Sequence, residues 1–207
     1  STSLASLGLD VDASSTVSSL TVGHTTPVSI ASGKSLSGAI TVTAGSVKLD
    51  ETGILASTIV MSGGTLDVDE TLYLTGALTQ SGNITIDVAD GKTLTYTGAA
   101  ISLGAYTLTL SGEGRLSNPP MTEGVYSSND LVLNNASSKL LLSSSITVDS
   151  VSTSLASLGL DVNDDSTVSS LTVGHTTPVS IASGKTLSGA ITVTAGSLKL
   201  NEAGTLG

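Results

Sequence analysis

The sequence predicts an all-β protein folded as a parallel β-solenoid, with coils of about 20 residues and very little helix. Three observations indicate this fold: a long internal repeat, short segments in which apolar and polar residues alternate, and small polar turns between these segments. No segment shows the 3.6-residue spacing of an amphipathic helix. The alternative all-β architecture is a series of tandem immunoglobulin-like β-sandwiches.

The internal repeat covers both ends of the chain. Residues 1–56 recur as residues 152–207; nine positions differ, so 47 of the 56 are identical. Residues 1–151 are therefore predicted to form one long repeat of about seven coils, and residues 152–207 to begin the next repeat of one continuous solenoid. Because Ser1 begins where Ser152 continues an established run, we expect the ends of the chain to be covered by more of the same structure.

The strand prediction depends on period-2 alternation, which places one face of each short segment in a core. In chain order the alternating segments are 7–11, 20–22, 28–30, 40–42, 47–49, 66–68, 72–74, 84–88, 108–110, 131–133 and 146–148. The segments at 47–49, 66–68, 84–88 and 108–110 begin 18 to 24 residues apart, which predicts one coil each.

Turn residues separate these segments. Gly and Asn, which tolerate positive φ, recur at 32–34, 44–46, 62–64, 81–83, 90–92 and 111–114. The chain has four Tyr and no Phe or Trp, so its core must be built from Leu, Val, Ile and Ala. A narrow interior with repeated aliphatic layers suits this composition better than a sandwich core, which usually includes large rings.

The charge of the chain limits its partners. The formal net charge is −10 and the pI about 4.2, which argues against nucleic-acid binding because phosphates require clustered Lys and Arg. No apolar stretch approaches the length of a membrane helix, so no membrane insertion is predicted for this segment. The absence of cysteine excludes disulfides and thiolate chemistry.

The most irregular stretch, 112–130, is predicted to be a loop that bulges from the stack. Consecutive prolines cannot donate to a β-ladder, and loops on rigid scaffolds often carry binding residues. The candidate binding residues in this loop are Arg115, Pro119, Pro120 and Tyr126. The competing interpretation is a tolerated surface insertion.

The acidic turn at 161–165 is the one candidate cation site. Its oxygen donors, which calcium would favour, are Asp161, Asn163, Asp164 and Asp165. The spacing matches no calcium loop, and the first copy has Ala13 and Ser14 in place of two carboxylates. The sequence therefore favours a solvated acidic turn and no cofactor, with calcium as the alternative.

Catalytic chemistry is not predicted. His24 and His175 each lie in a polar Gly-His-Thr-Thr-Pro turn, which is typical of a surface histidine, and no Gly-x-Ser-x-Gly elbow is present. Glycosidic cleavage by β-helix enzymes needs a pair of carboxylates at a defined separation, usually in a cleft with basic groups. Here the six Lys and one Arg are dispersed. We expect a protein that is not an enzyme.

The texture of segments 39–49 and 81–94 resembles bacterial extracellular β-helices, namely the passenger regions of autotransporter and filamentous-haemagglutinin-type adhesins. The resemblance implies a non-catalytic extracellular filament or stalk at the cell surface, whose main partner is itself through covalent repeats or stacked subunits. The alternative is an adhesin module that binds a cell-surface glycan or protein through the loop near 112–130.

Overall fold

The computed structural model describes residues 9–23, 28–31, 33–49, 54–55, 58–97, 101–102, 105–117, 131–133, 135–153, 156–195, 197–200 and 204–207. Within these ranges the chain forms 24 short strands and no helix. The strands have two to eight residues and are separated by bends and turns, as the short alternating segments predict.

The strands are β1 (Leu9–Val11), β2 (Ser15–Val22), β3 (Val28–Ile30), β4 (Leu36–Val42), β5 (Ser46–Leu49), β6 (Ile54–Leu55), β7 (Thr58–Met61), β8 (Thr65–Val68), β9 (Leu72–Leu74), β10 (Leu78–Gln80), β11 (Ile84–Val88) and β12 (Thr93–Tyr96). They continue as β13 (Ile101–Ser102), β14 (Thr107–Ser111), β15 (Arg115–Ser117), β16 (Leu131–Leu133), β17 (Lys139–Leu142), β18 (Thr147–Thr153), β19 (Gly159–Val162), β20 (Ser166–Val173), β21 (Pro178–Ile181), β22 (Thr186–Val193), β23 (Ser197–Leu200) and β24 (Thr205–Leu206). All eleven predicted segments overlap these strands.

The first sheet holds one strand from each coil. Its ten strands lie in the order β1-β3-β5-β8-β11-β14-β17-β19-β21-β23, and every neighbouring pair is parallel. Val28 pairs with Val47 and Val47 with Leu66, an advance of 19 residues per coil. The predicted β-solenoid is confirmed. The immunoglobulin-like alternative is wrong because such sandwiches consist of antiparallel sheets.

Two further sheets make each coil three-sided. The second sheet has the order β10-β7-β4-β2, and the third runs β24-β22-β20-β18-β15-β12-β9-β6 with β13 and β16 joined beside β18. Strand β18 pairs with β15 through its first residues and with β16 through its last. One long strand therefore follows two sides of the coil and bends between them.

Strand β4 carries a glycine at the same corner. Strands β2 and β4 pair Val17 with Gly38 and then Ser19 with Ala39, so Ser18 is an extra residue in a bulge. Gly38 has a φ of 120°, and a Cβ there would lie 1.8 Å from the Val17 carbonyl oxygen. The corner can be turned only without a side chain at this position.

The interior is a continuous stack of aliphatic side chains, with the apolar residues at alternate strand positions buried. Strand β11 contributes three of them, Ile84, Ile86 and Val88. Val88 is paired with Val68 on one side, whereas Ile84 is paired with Leu108 on the other. The column of stacked interior side chains that contains Val68 and Val88 thus ends at β11, and the column that contains Ile84 and Leu108 begins there.

This exchange of columns changes how the two copies are aligned. Seven steps along the first sheet separate β1 from β19. The register followed from Leu9 through successive strands arrives at Val162, two residues beyond the sequence-equivalent Leu160. A shift of two residues keeps the same side chains inside, so both copies bury the same face.

Candidate functional surfaces

The acidic turn that was the candidate cation site ties neighbouring coils together. The Oδ2 atom of Asp161, in β19, lies 2.6 Å from Nζ of Lys139 on the preceding coil. The Oδ1 atom of Asp164, just after the strand, lies 2.5 Å from Nζ of Lys185 on the following coil. One carboxylate therefore pairs with a lysine of the preceding coil, and the other pairs with a lysine of the following coil.

The other two residues of this turn are also accounted for. Asp165 Oδ1 accepts a hydrogen bond from the backbone nitrogen of Thr186 at 2.7 Å. The backbone nitrogen of Asn163 donates to the Leu142 carbonyl at 2.8 Å, while the residue itself is exposed. In the part of the chain that the structure describes, no group of three or more His, Cys, Asp or Glu side chains is placed to hold a metal ion.

The ion pair between Asp164 and Lys185 shifts both pKa values. The hydrogen bond from Lys185, with a smaller contribution from the Asp165 backbone, lowers the pKa of Asp164 below 3.8. The same hydrogen bond raises the pKa of Lys185 above 10.5. Both groups are solvent-exposed, so the pair is a surface contact whose strength depends on salt.

The first copy of the repeat provides a natural comparison. Ala13 stands in place of Asp164, so Lys34 has no carboxylate at the position that Lys185 uses. Ser14 stands in place of Asp165, and its Oγ still accepts a hydrogen bond from the Ser35 backbone nitrogen at 3.2 Å. The backbone tie between coils is kept in both copies, whereas the ion pair is present in the second alone.

Arg115 was predicted to lie in a loop, and this prediction is wrong. It begins strand β15, which pairs with β12 on one side and β18 on the other. The strand was missed because Leu116 is its only interior residue, too little for an alternation signal. Pro119, Pro120 and Tyr126 lie outside the described residues.

The Arg115 side chain is engaged with Asp149. Arg115 Nε donates to Asp149 Oδ1 at 3.1 Å, and Ser117 Oγ donates to the other carboxylate oxygen at 2.8 Å. Ser169 Oγ, on the next coil, donates to Asp149 Oδ1 at 3.3 Å. The Asp149 side chain is only 13% exposed, and it links three successive coils.

Basic residues elsewhere follow the same pattern. Lys48 lies 2.7 Å from Asp69, and Lys92 lies 2.7 Å from Glu70. Register places Asp67 opposite Lys48, so the acid that pairs with this lysine is two residues further along the neighbouring strand. The pairs Lys139–Asp161 and Arg115–Asp149 have the same diagonal geometry.

The histidine that is described lies in a turn, as the sequence predicted. His175 has a φ of 61°, the one positive value among the described residues that are not glycine. It precedes Thr176 in the turn before β21. His24, its counterpart, lies outside the described residues.

The interior contains buried polar side chains that were not predicted from the sequence. The buried Gln80 side chain donates from Nε2 to the Thr107 carbonyl at 2.9 Å, and its Oε1 has no hydrogen-bond partner in the described part of the chain. The hydroxyl of the buried Tyr96 accepts a hydrogen bond at 3.3 Å from the backbone nitrogen of Leu78, two residues before Gln80. Burial raises the pKa of Tyr96, partly offset by this hydrogen bond. In the sequence, the alternation of Leu78 and Gln80 is the one sign that the side chains of these two residues point inward.

The end coils expose apolar residues that are buried inside the stack. Val193 is 46% exposed, whereas Val42, its equivalent in the first copy, is fully buried beneath the following coil. Leu206 is 41% exposed on the same end face. At the opposite end Val17 is partly buried, whereas its equivalent Val168 is fully buried.

Within the ranges described above, no helix is long and apolar enough to cross a membrane. Comparison of the chain with models of protein families, with curated protein sequences and with solved structures finds no match.

Proposed function

We propose that this chain is a segment of a non-catalytic structural protein, an extracellular filament or stalk in which the solenoid continues beyond the coils seen here. The observation that carries the proposal is the first sheet, in which ten successive coils stack through parallel strands. Each coil covers the aliphatic side chains of the coil before it, as the following coil covers the fully buried Val42. Such a stack can be extended by further repeats, because each coil contacts only its neighbours.

The composition supports a long extracellular object. The net charge of −10 opposes nonspecific aggregation along the sides of a filament. Most basic residues of the described coils form ion pairs with acidic residues of neighbouring coils. These ion pairs support the stacking of one coil on the next. The absence of cysteine leaves a fold independent of disulfides.

The proposal is tested on the protein from its source. An antibody raised against the 207-residue chain should label extended structures outside the cell by immunogold electron microscopy. Labelling restricted to the cell interior would contradict an extracellular filament. The mass of the intact polypeptide under denaturing conditions separates the two forms of continuation: a mass well above the 20.4 kDa of this chain indicates covalent repeats, and a mass near it indicates stacked subunits.

A second candidate function is an adhesin module. Leu110 pairs with Leu142, so this coil advances 32 residues where most advance 19 to 24. Additional residues in one coil of a solenoid are a common location for binding segments. The partner would be a cell-surface glycan or protein recognised by residues 118–130.

Replacing residues 119–129 with a short Gly-Ser linker tests the adhesin function. If the segment binds a partner, adhesion to cells or to a glycan array should be lost while the circular dichroism spectrum is retained. A matched control replaces the turn at 90–91, which is exposed and lies on another coil. Unchanged adhesion after removal of 119–129 would rule out this segment as the binding site.

A further inference from the structure

We propose that the interior of the solenoid binds an ordered water molecule, which accepts a hydrogen bond from the Tyr96 hydroxyl and donates one to Gln80 Oε1. Both side chains are buried, Tyr96 with 1% and Gln80 with 8% of its surface exposed. The site lies on the second side of the coil, where β10 has β13 of the following coil as its neighbour. It belongs to the fold of the single chain and holds whether or not the solenoid is part of a filament.

The hydrogen bonding of the second side changes at this place. Strand β10 forms a ladder with β7, and β13 forms one with β16, whereas no ladder joins β10 to β13 in the described residues. The backbone nitrogen of Ile59, in β7, donates to the Ala77 carbonyl at 2.9 Å. Because backbone groups alternate in direction along a strand, the amides of Leu78 and Gln80 point away from β7. These amides therefore face the following coil.

Tyr96, at the end of β12, reaches this edge from the following coil. Register places it opposite Leu74 of the coil below, and its hydroxyl accepts a hydrogen bond from the Leu78 backbone nitrogen at 3.3 Å. This bond uses a lone pair of the oxygen, so the hydroxyl proton is still to be donated. A buried tyrosine hydroxyl needs an acceptor for that proton.

Gln80 has the complementary requirement. Its Nε2 donates to the Thr107 carbonyl at 2.9 Å. Because a carbonyl oxygen only accepts, the amide cannot be reversed, and Oε1 is the atom that needs a donor. Oε1 is shielded from solvent and has no hydrogen-bond partner among the described residues. A buried acceptor left in this state would destabilise the fold.

One water molecule satisfies both groups. Leu78, which holds the tyrosine hydroxyl, and Gln80 are two residues apart on β10, and both side chains are buried. Water accepts the proton of Tyr96 and donates one of its own to Gln80, and buried waters in proteins join unpaired polar groups in this way. The water would thus link β10 to the following coil at the place where the backbone ladder is interrupted.

The first test is a crystal structure of the 207-residue chain at a resolution that shows ordered water. An isolated density peak should lie within hydrogen-bond distance of both Gln80 Oε1 and Tyr96 Oη, about 2.5–3.2 Å from each. A direct hydrogen bond between the two side chains, a protein donor on Oε1, or a position without density would overturn the inference.

The second test is a double-variant cycle measured by urea denaturation. Tyr96→Phe and Gln80→Met each remove one partner of the water, and each should raise the unfolding equilibrium constant about tenfold. The double variant should raise it by clearly less than the product, because the first substitution already releases the water.

The control pairs Tyr96→Phe with Ser166→Ala, which removes a buried hydroxyl on β20. The effects of these two substitutions should multiply, since the sites are on separate coils and share no partner. If the effects of Tyr96→Phe and Gln80→Met also multiply, the two side chains share no water and the inference is wrong. The density in the parent chain decides the question if a variant does not fold.

Discussion

A single missing side chain allows β22 to turn its corner. Gly189 has a φ of 121°, and a Cβ would lie 1.7 Å from the Val168 carbonyl oxygen. Gly189→Ala should therefore lower the free energy of unfolding by at least about 2 kcal/mol, because both the backbone conformation and the contact must change. Urea denaturation monitored by circular dichroism measures the loss.

The matched control is Gly184→Ala in the same copy. Gly184 also has positive φ, but a Cβ there meets nothing within 4 Å. Its cost is limited to the left-handed conformation, about 1 kcal/mol. Equal losses for the two variants would show that the corner is not sterically closed to a side chain.

The ion pair of Asp164 can be removed from the second copy, or introduced into the first copy at its counterpart Ala13. Asp164→Ala should lower the urea midpoint at pH 7, and Ala13→Asp should raise it by supplying a carboxylate for Lys34. The pKa of Asp164 is lowered in the folded chain, so its stabilisation is present above the unfolded value of 3.8 and is lost as the pH falls through the lower folded value.

The two variants should therefore converge with the parent chain in strong acid. Lys185 sets the upper limit: its pKa is raised above 10.5, so the contribution is lost again as the pH rises through the folded value. Urea midpoints measured from pH 2 to pH 11 test this window. A difference between Asp164→Ala and the parent that does not narrow as the pH is lowered below 3.8 would show that the aspartate acts through something other than its charge.

At the scale of the element, Asp149 joins three successive coils through side chains of β15, β18 and β20. It accepts hydrogen bonds from Arg115, Ser117 and Ser169 and is 13% exposed. Asp149→Ala should lower the free energy of unfolding by about 2 kcal/mol, because it leaves three donors without their acceptor. Asp69→Ala removes a more exposed ion pair, 39% exposed on the acid, and should cost about 0.5 kcal/mol.

Hydrogen exchange locates the effect of Asp149→Ala. Protection should fall in β15, β18 and β20, the strands that carry the four side chains. If protection falls uniformly along the chain, the aspartate would not be a local tie between these coils.

Alternation predicted strands with two or more interior residues, such as β11, although it missed β7, β12 and β17, each of which has two. Alternation could not predict β15, where Leu116 is the one interior residue, or the first half of β2, where Val17 is alone. The corner was missed for another reason. Gly38 looks like a turn glycine in sequence, whereas in the structure the strand continues through it.

The ties between coils were hidden for a geometric reason. Lys139 and Asp161 are 22 positions apart in sequence, and Lys185 and Asp164 are 21 apart. They meet only because the register of the strands stacks one coil on the next. Such pairs can be predicted from sequence only when the length of each coil is known exactly, to one residue. For this reason the sequence suggested a calcium-like cluster at 161–165, where the structure has separate contacts to two coils.

At the scale of the whole molecule, equivalent residues of the two copies differ in whether a following coil covers them. Val42→Ala removes a fully buried side chain, and should lower the free energy of unfolding by about 1.5–3 kcal/mol. Val193→Ala changes the same residue of the same repeat at an exposed end, and should cost less than about 0.5 kcal/mol at concentrations where the chain is monomeric. Equal costs would mean that another part of the chain covers Val193.

The most direct test of a continuing solenoid is the length of the molecule as repeats are added. Chains extended beyond residue 207 by one and then two further 151-residue repeats would be measured by small-angle X-ray scattering and electron microscopy. Seven coils per repeat, at about 4.8 Å per coil, predict that each repeat lengthens the rod by about 34 Å at constant cross-section. A cross-section that grows with each repeat, or separate beads joined by linkers, would contradict the account.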